Sequence, residues 1–193
     1  MEIRKTFKFE MGHIVRNAWS RRCSKNAHGH SYTCEVFFEG RDLDNGMMLI
    51  DFGLIKQYLH DLIDSFDHSF WLWDIPEDKH IVDFFTKEFE RVIVTPWSSS
   101  AEAQAMMFYY MAEATLQYLK YNEFNNGESL EVYVSRVIVH ETLTGKAEFS
   151  HKDALEQDNS NRSKIELNKV FFTDGIKAEW KNRAQVEEIL KSL

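Results

Sequence analysis

The sequence predicts an α+β protein, on three observations. Two segments near the N-terminus alternate side chains with the period of a strand. Residues 52–66 repeat apolar positions at helical spacing. A second long apolar helix is followed by a β-branched run that reads as a strand.

In order, Phe7, Phe9, Met11 and His13 share one face of a strand over Lys5–His13, and three of the four are apolar. "HGHSYTCEVFFEG" gives a second strand, and "RDLDNG" a turn after it through Asn45-Gly46. The two strands should pair antiparallel. Asp51 can cap the next helix, in which Leu54, Ile55, Tyr58, Leu59, Leu62, Ile63 and Phe66 recur. "SFDHSFWLWDIPED" breaks it, and "KHIVDFFTKEFERVIV" reads as a short helix running into a short strand. Ser99-x-x-Glu102 matches a capping box before a long apolar helix over 101–121. "LEVYVSRVIVHET" is a strand ending at Glu141. After Phe149 the composition turns polar, and "HKDALEQDNSNRSK" reads as a mobile loop. "GIKAEWKNRAQVEEILKSL" then returns to helical spacing. The division this suggests is 1–150 as one domain and 151–193 as an extension with a linker and short helix.

The chain has 193 residues, 44% of them apolar, with fifteen Phe and five Trp, enough for a substantial core. Its net charge of −8 argues against general binding of nucleic acid or anionic membrane. The start "MEIRKTFKFE" lacks the apolar stretch of a signal peptide, and no apolar run is long enough to span a bilayer. Two cysteines make no disulfide framework. A cytoplasmic protein is expected.

One stretch departs from this acidic background. Between Met11 and Cys34 there is no acidic residue, but there are Arg16, Arg21, Arg22 and Lys25, together with Cys23, His28 and His30. His28 and His30 are two apart, so both imidazoles leave a strand on the same side. Antiparallel pairing could bring His13 alongside them, and three histidines with an open fourth position is a catalytic zinc pattern. H-x-H alone leaves open a turn with two surface histidines. Cys34 shares the face of His28 and His30, either as a further ligand or as a small buried hydrophobe. Cys23 lies among cations, which favour the reactive thiolate, or is an inert loop residue. Asp67-His68 is a helix-end pair that matters only if both side chains turn into one cavity. Glu141 is either a solvated strand end or a carboxylate that accepts paired N–H groups from a planar heterocycle.

Taken in order, "FKFEMGH", C-x4-"HGHSY", "DF", "DSFDH", "SAE" and "VHETLTG" resemble the 6-pyruvoyltetrahydropterin synthase family, and within it the carboxy-forming enzymes of queuosine biosynthesis. The resemblance runs from about Phe7 to Phe149. It implies the tunnelling fold: a four-stranded antiparallel sheet with two long helices on one face, sheets of neighbouring subunits closing into a barrel. It implies a homohexamer of two trimers with active sites between subunits. It places His13, His28 and His30 on zinc ligands and Cys23 on the catalytic cysteine. Asp67 and His68 fall on the partner proton-transfer pair, and Glu141 on the pterin anchor. Ser100 and Glu102 fall on the pocket-lining segment. Arg21, Arg22 and Lys25, with Arg16, would attract a triphosphate. The implied reaction converts 7,8-dihydroneopterin triphosphate, with Zn2+, to 6-carboxytetrahydropterin, acetaldehyde and triphosphate. Two alternatives stand beside it: formation of 6-pyruvoyltetrahydropterin at the same site, and a non-catalytic, zinc-stabilised pterin-binding protein. Cys-to-HGH spacing does not decide between the two products.

Overall fold

A computed structural model describes residues 1–122, 131–158 and 165–192. It is an α+β structure built on one mixed sheet. The N-terminal strands are β1 (Glu2–His13) and β2 (His28–Gly40), with a one-turn helix α1 (Arg21–Ser24) in the loop between them. They pair antiparallel over their whole length, with His13 directly opposite His28. Alternation then does the sorting. Phe7, Phe9, Met11 and His13 of β1 and Tyr32, Cys34, Val36 and Phe38 of β2 are all buried on the inner face.

Helix α2 (Phe52–Asp64) begins where expected, its cap Asp51 accepting from the Gly53 N–H at 2.6 Å. Helix α4 (Ala101–Asn122) lies beside it. The pair covers the inner face through an aromatic layer: Phe108 meets both Phe9 and Phe66 edge-on, with ring centroids 5.7 and 5.0 Å apart. The capping box is not formed as predicted. Ser100, not Ser99, accepts from the Ala103 N–H at 3.3 Å, while the buried Ser99 hydroxyl turns back to donate to the Ile14 carbonyl.

The sheet is larger than the resemblance implies. Seven strands run in the order β6-β5-β2-β1-β3-β4-β7, where β3 is Ser69–Trp73, β4 Val92–Thr95, β5 Val132–His140, β6 Lys146–Ser150 and β7 Phe171–Phe172. The four strands β6-β5-β2-β1 are antiparallel throughout. β3 and β4 extend them in parallel, and β7 closes the far edge antiparallel to β4. β3 was not foreseen because it lacks the alternation that marks a half-exposed strand. Trp71 and Leu72, on opposite faces, are both buried. Helix α3 (Lys79–Glu88) covers Leu72, Val92 and Val94 with Val82 in a smaller second core.

The stretch read as a mobile loop is in part a helix, α5 (His151–Asp158); the rest of it, 159–164, lies outside the described residues. Tyr109 and Tyr110 of α4 hold its His151 and Gln157 at 3.0 and 2.8 Å. The last helices, α6 (Asp174–Glu179) and α7 (Arg183–Lys191), send Ile176, Val186 and Ile189 into the main core, joined by Phe172 and Trp180. Each such burial is worth roughly 1.5–3 kcal/mol, so the five together approach the ~5–15 kcal/mol stability of a whole domain. A chain ended after Lys152 should therefore lose its cooperative unfolding transition. Circular dichroism during urea titration checks this; a sharp transition near the full-length midpoint would show that the first 152 residues suffice.

Candidate metal centre and active site

The β1–β2 register builds the centre. His13 and His28 face each other across the ladder, and His30 follows two residues later on the same side. One ring nitrogen from each of the three lies within 4.8 Å of the others. His13 is fully buried and the other two are half-buried.

Two of the rings are held by backbone carbonyls. His13 Nδ1 donates to the Ser99 carbonyl at 2.8 Å, and His28 Nδ1 to the Asn26 carbonyl at 3.1 Å. Each bond selects the tautomer that leaves Nε2 with a free lone pair, the arrangement found around metal-bound histidines. Burial, reinforced by the neighbouring His28 and His30, pushes the His13 pKa down to about 4. The ring is therefore neutral at pH 7. A divalent cation suits three neutral imidazoles that converge from one side. Cys34 is not part of the cluster. It is completely buried further along the same row, and burial pushes its thiol pKa up, so it stays a protonated, hydrophobe-like side chain.

The depressed His13 pKa has a consequence for the metal-free protein. In the unfolded chain this ring takes up a proton near its ordinary 6.5; in the folded chain it resists protonation down to about 4. Acid therefore favours the unfolded state. The stability involved is intact above pH 6.5 and is lost as the pH falls towards 4, by about 3 kcal/mol at most. Urea midpoints of the chelated protein should fall across that window. In a His13→Gln variant, itself less stable, the slope with pH should flatten.

Glu141 lies just beyond the end of β5 and turns towards the same centre. Its Oε1 is 3.7 Å from His13 Nε2 and 4.0 Å from His30 Nε2, and accepts a hydrogen bond from the Tyr32 hydroxyl at 3.3 Å. That hydroxyl lies 3.4 Å from His13 Nε2, and burial together with Glu141 raises its pKa. Glu141 is thus not a free strand end. It lines an open cleft of about 530 Å³ with His30, Thr142 and Leu143.

A second cleft, of about 410 Å³, runs along the other side of His30 to His68. His68 lines it and Asp67 does not, although His68 Nδ1 is 3.3 Å from Asp67 Oδ1. The turn is doubly tied to β1, with the Glu10 N–H donating to Asp67 Oδ1 at 2.8 Å and the His68 N–H to the Glu10 carbonyl at 2.7 Å. His68 has φ of 52°, in the left-handed region that costs a non-glycine residue energy unless its surroundings impose it.

Cys23 sits half-buried in α1, and its carbonyl accepts from the Val15 N–H two residues beyond the end of β1. Arg21, Arg22 and Lys25 around it are exposed. Arg16 is not available as they are: its guanidinium grips Asp78 through two bonds of 2.6 and 2.8 Å and the Ser24 carbonyl through a third. Ser100 caps α4 next to the residue that holds His13, whereas Glu102, in the first turn of α4, is exposed and makes no ion pair among the described residues. A single chain thus gathers the histidines with Glu141 on one side and His68 on the other, and leaves Glu102 outside.

Sequence reasoning missed Tyr32 and Ser99. Tyr32 was legible, being the next inward residue after His28 and His30. Ser99 acts through its carbonyl, which no side-chain pattern can report.

This chain belongs to the 6-pyruvoyl tetrahydropterin synthase family, whose sequence model matches residues 2–152. Within the family it is 39% identical over 190 residues to the 6-carboxy-5,6,7,8-tetrahydropterin synthase of Helicobacter pylori strain J99, covering 98% of this chain and 92% of that one. It is 32% identical to the enzyme of the same name from Aquifex aeolicus, covering 78% of this chain and 98% of that one. Among solved structures, an uncharacterized protein from Wolinella succinogenes aligns with TM-score 0.61 and 20% identity, over 78% of this chain and 98% of its own. The Caenorhabditis elegans 6-pyruvoyl tetrahydropterin synthase aligns with TM-score 0.51 and 18% identity, over 78% and 94%. These two likenesses speak to the fold.

Proposed function

We propose that the protein is a zinc-dependent 6-carboxytetrahydropterin synthase of queuosine biosynthesis. The observation that carries this is the His13–His28–His30 cluster, two of whose rings are set by backbone carbonyls so that Nε2 is free. Its likeness over nearly the whole chain to enzymes carrying that name supports the choice of reaction. The substrate is 7,8-dihydroneopterin triphosphate, and the products are 6-carboxytetrahydropterin, acetaldehyde and triphosphate.

Zinc held by the three histidines would supply Lewis acidity towards the side-chain oxygens of the substrate. The rest of the work falls to the chain. Glu141 accepts the adjacent N–H groups of the pterin, a charge-assisted pairing that fixes its orientation. Ser100 and Glu102 line the pterin pocket, with Glu102 reaching a neighbouring subunit's site in a homohexamer of two trimers. Cys23 takes protons from the substrate side chain, and His68, steadied by Asp67, acts as the opposing acid or base. Arg21, Arg22 and Lys25 draw the triphosphate to a protein that would otherwise repel it. Residues 1–150 form the catalytic domain and 151–193 the extension. The setting is the cytoplasm. Among the described residues no helix is long and apolar enough to cross a membrane.

The test is incubation of the zinc-loaded protein with 7,8-dihydroneopterin triphosphate, followed by mass analysis. A carboxy product with an equivalent of acetaldehyde is expected. A product that keeps the whole side chain would make this a pyruvoyl-forming enzyme, and unchanged substrate would make it a binding protein.

A further inference from the structure

The C-terminal segment reaches the underside of the Asp67–His68 turn. Helix α2 ends there with carbonyls that no helical N–H can satisfy. Arg91, at the foot of β4, donates to three carbonyls at and just past this end: its Nε to that of Asp67 at 2.8 Å and its terminal nitrogen to those of Asp64, which also accepts from the Asp67 N–H, and Ser65 at 2.9 and 3.3 Å. A cation is also the favourable charge at this end of a helix. Arg91 is itself held by Glu179 at the end of α6. The neighbouring Trp180 donates its buried indole N–H to Ser65 Oγ at 2.7 Å. Asp61, one turn earlier in α2, accepts from the Asn182 N–H at 3.1 Å. Residues 179–182 thus reach the end of α2 at two points directly, through Trp180 and Asn182, and at a third through Arg91, which Glu179 holds, just before the left-handed His68.

A left-handed histidine keeps its conformation only when the chain on both sides is tied down. β1 ties one side through Glu10. We infer that the C-terminal segment ties the other, so that Arg91, Glu179 and Trp180 are positioning residues for the Asp67–His68 proton-transfer pair. The inference rests on the role given to that pair under the proposed function. It gives the extension, which lies beyond the matched family region, a task in the reaction itself.

The experiment is a double-mutant cycle in the full-length, zinc-loaded protein, with kcat and KM measured on 7,8-dihydroneopterin triphosphate. Arg91→Gln should lower kcat about 10- to 100-fold, the cost of a misplaced catalytic group, and leave KM and zinc content near normal. Arg91→Lys, which keeps the charge, should recover part of that loss. In a His68→Ala background Arg91→Gln should cost nothing further, because its effect passes through His68. Equal losses in the two backgrounds, or a kcat within twofold of normal, would overturn the proposal. If Arg91→Gln does not fold, Trp180→Phe, which keeps an aromatic ring in the core but loses the indole N–H along with part of the ring system, takes its place in the same cycle and is judged the same way. Full activity in His68→Ala alone would remove the proposal by removing the reading beneath it, an outcome distinct from additivity.

Discussion

Replacement of His28 or His30 by Ala removes stoichiometric zinc and abolishes turnover: this is the largest effect expected of any single substitution. Catalytic zinc sites have three protein ligands and an open position, and the cluster supplies three. The fourth nearby group, Glu141, should not compensate, because it is engaged by Tyr32 and is the residue proposed above to hold the pterin. The fold should survive. His28 and His30 are half-buried at the end of the ladder, and the core rows of β1 and β2 lie further along. Metal analysis of the purified variants, beside a thermal melt of each, reads both quantities. Full zinc content in either variant would overturn the ligand assignment.

Cys23→Ala is the second. Here the metal should stay at its normal level, since Cys23 lies outside the histidine cluster. The rate should fall by ~10² to 10⁴, the usual worth of a positioned acid or base. The backbone around it should not move. Its carbonyl bond to Val15 and the Ser20 cap of α1 do not involve the thiol. Steady-state kinetics at saturating substrate, together with zinc content, check the prediction. Activity within a factor of about two, well below that range, would return Cys23 to an ordinary loop residue.

Much of this site was legible in the sequence because strand periodicity is a strict rule. Once β1 and β2 are placed, His13, His28 and His30 must lie on the inner row with Phe9 and Tyr32. Helices α2 and α4 were legible for a similar reason, their apolar stripes being long and their starts marked. What was not legible depends on contacts distant in sequence. β3 is buried on both faces and shows no alternation. β6 alternates but is only five residues long. The polar stretch 151–158 becomes helical because Tyr109 and Tyr110 receive it, and its own residues do not announce that. Arg16 looked like one of four cations awaiting an anion, yet Asp78, sixty-two residues away, occupies it. The Asp67–His68 pair could be noticed but not interpreted. The cleft that His68 shares with His30 forms where β3 lies parallel to the end of β1.

The pairing of His13 with His28 divides the chain into stretches that tolerate changes in length and stretches that do not. Residues 14–27 join two strands whose alignment is settled by twelve facing pairs. This loop can gain or lose residues while the three imidazoles stay where they are. Within β1 or β2 the reverse holds. A single inserted residue between His13 and Phe7, or between His30 and Val36, would turn the histidines to the opposite face while the apolar rows kept the sheet together. Length variation among relatives should therefore collect around Cys23 and be absent from the ladder. A library of one-residue insertions across 2–40 would trace the boundary as an abrupt loss of metal binding at both ends of the loop.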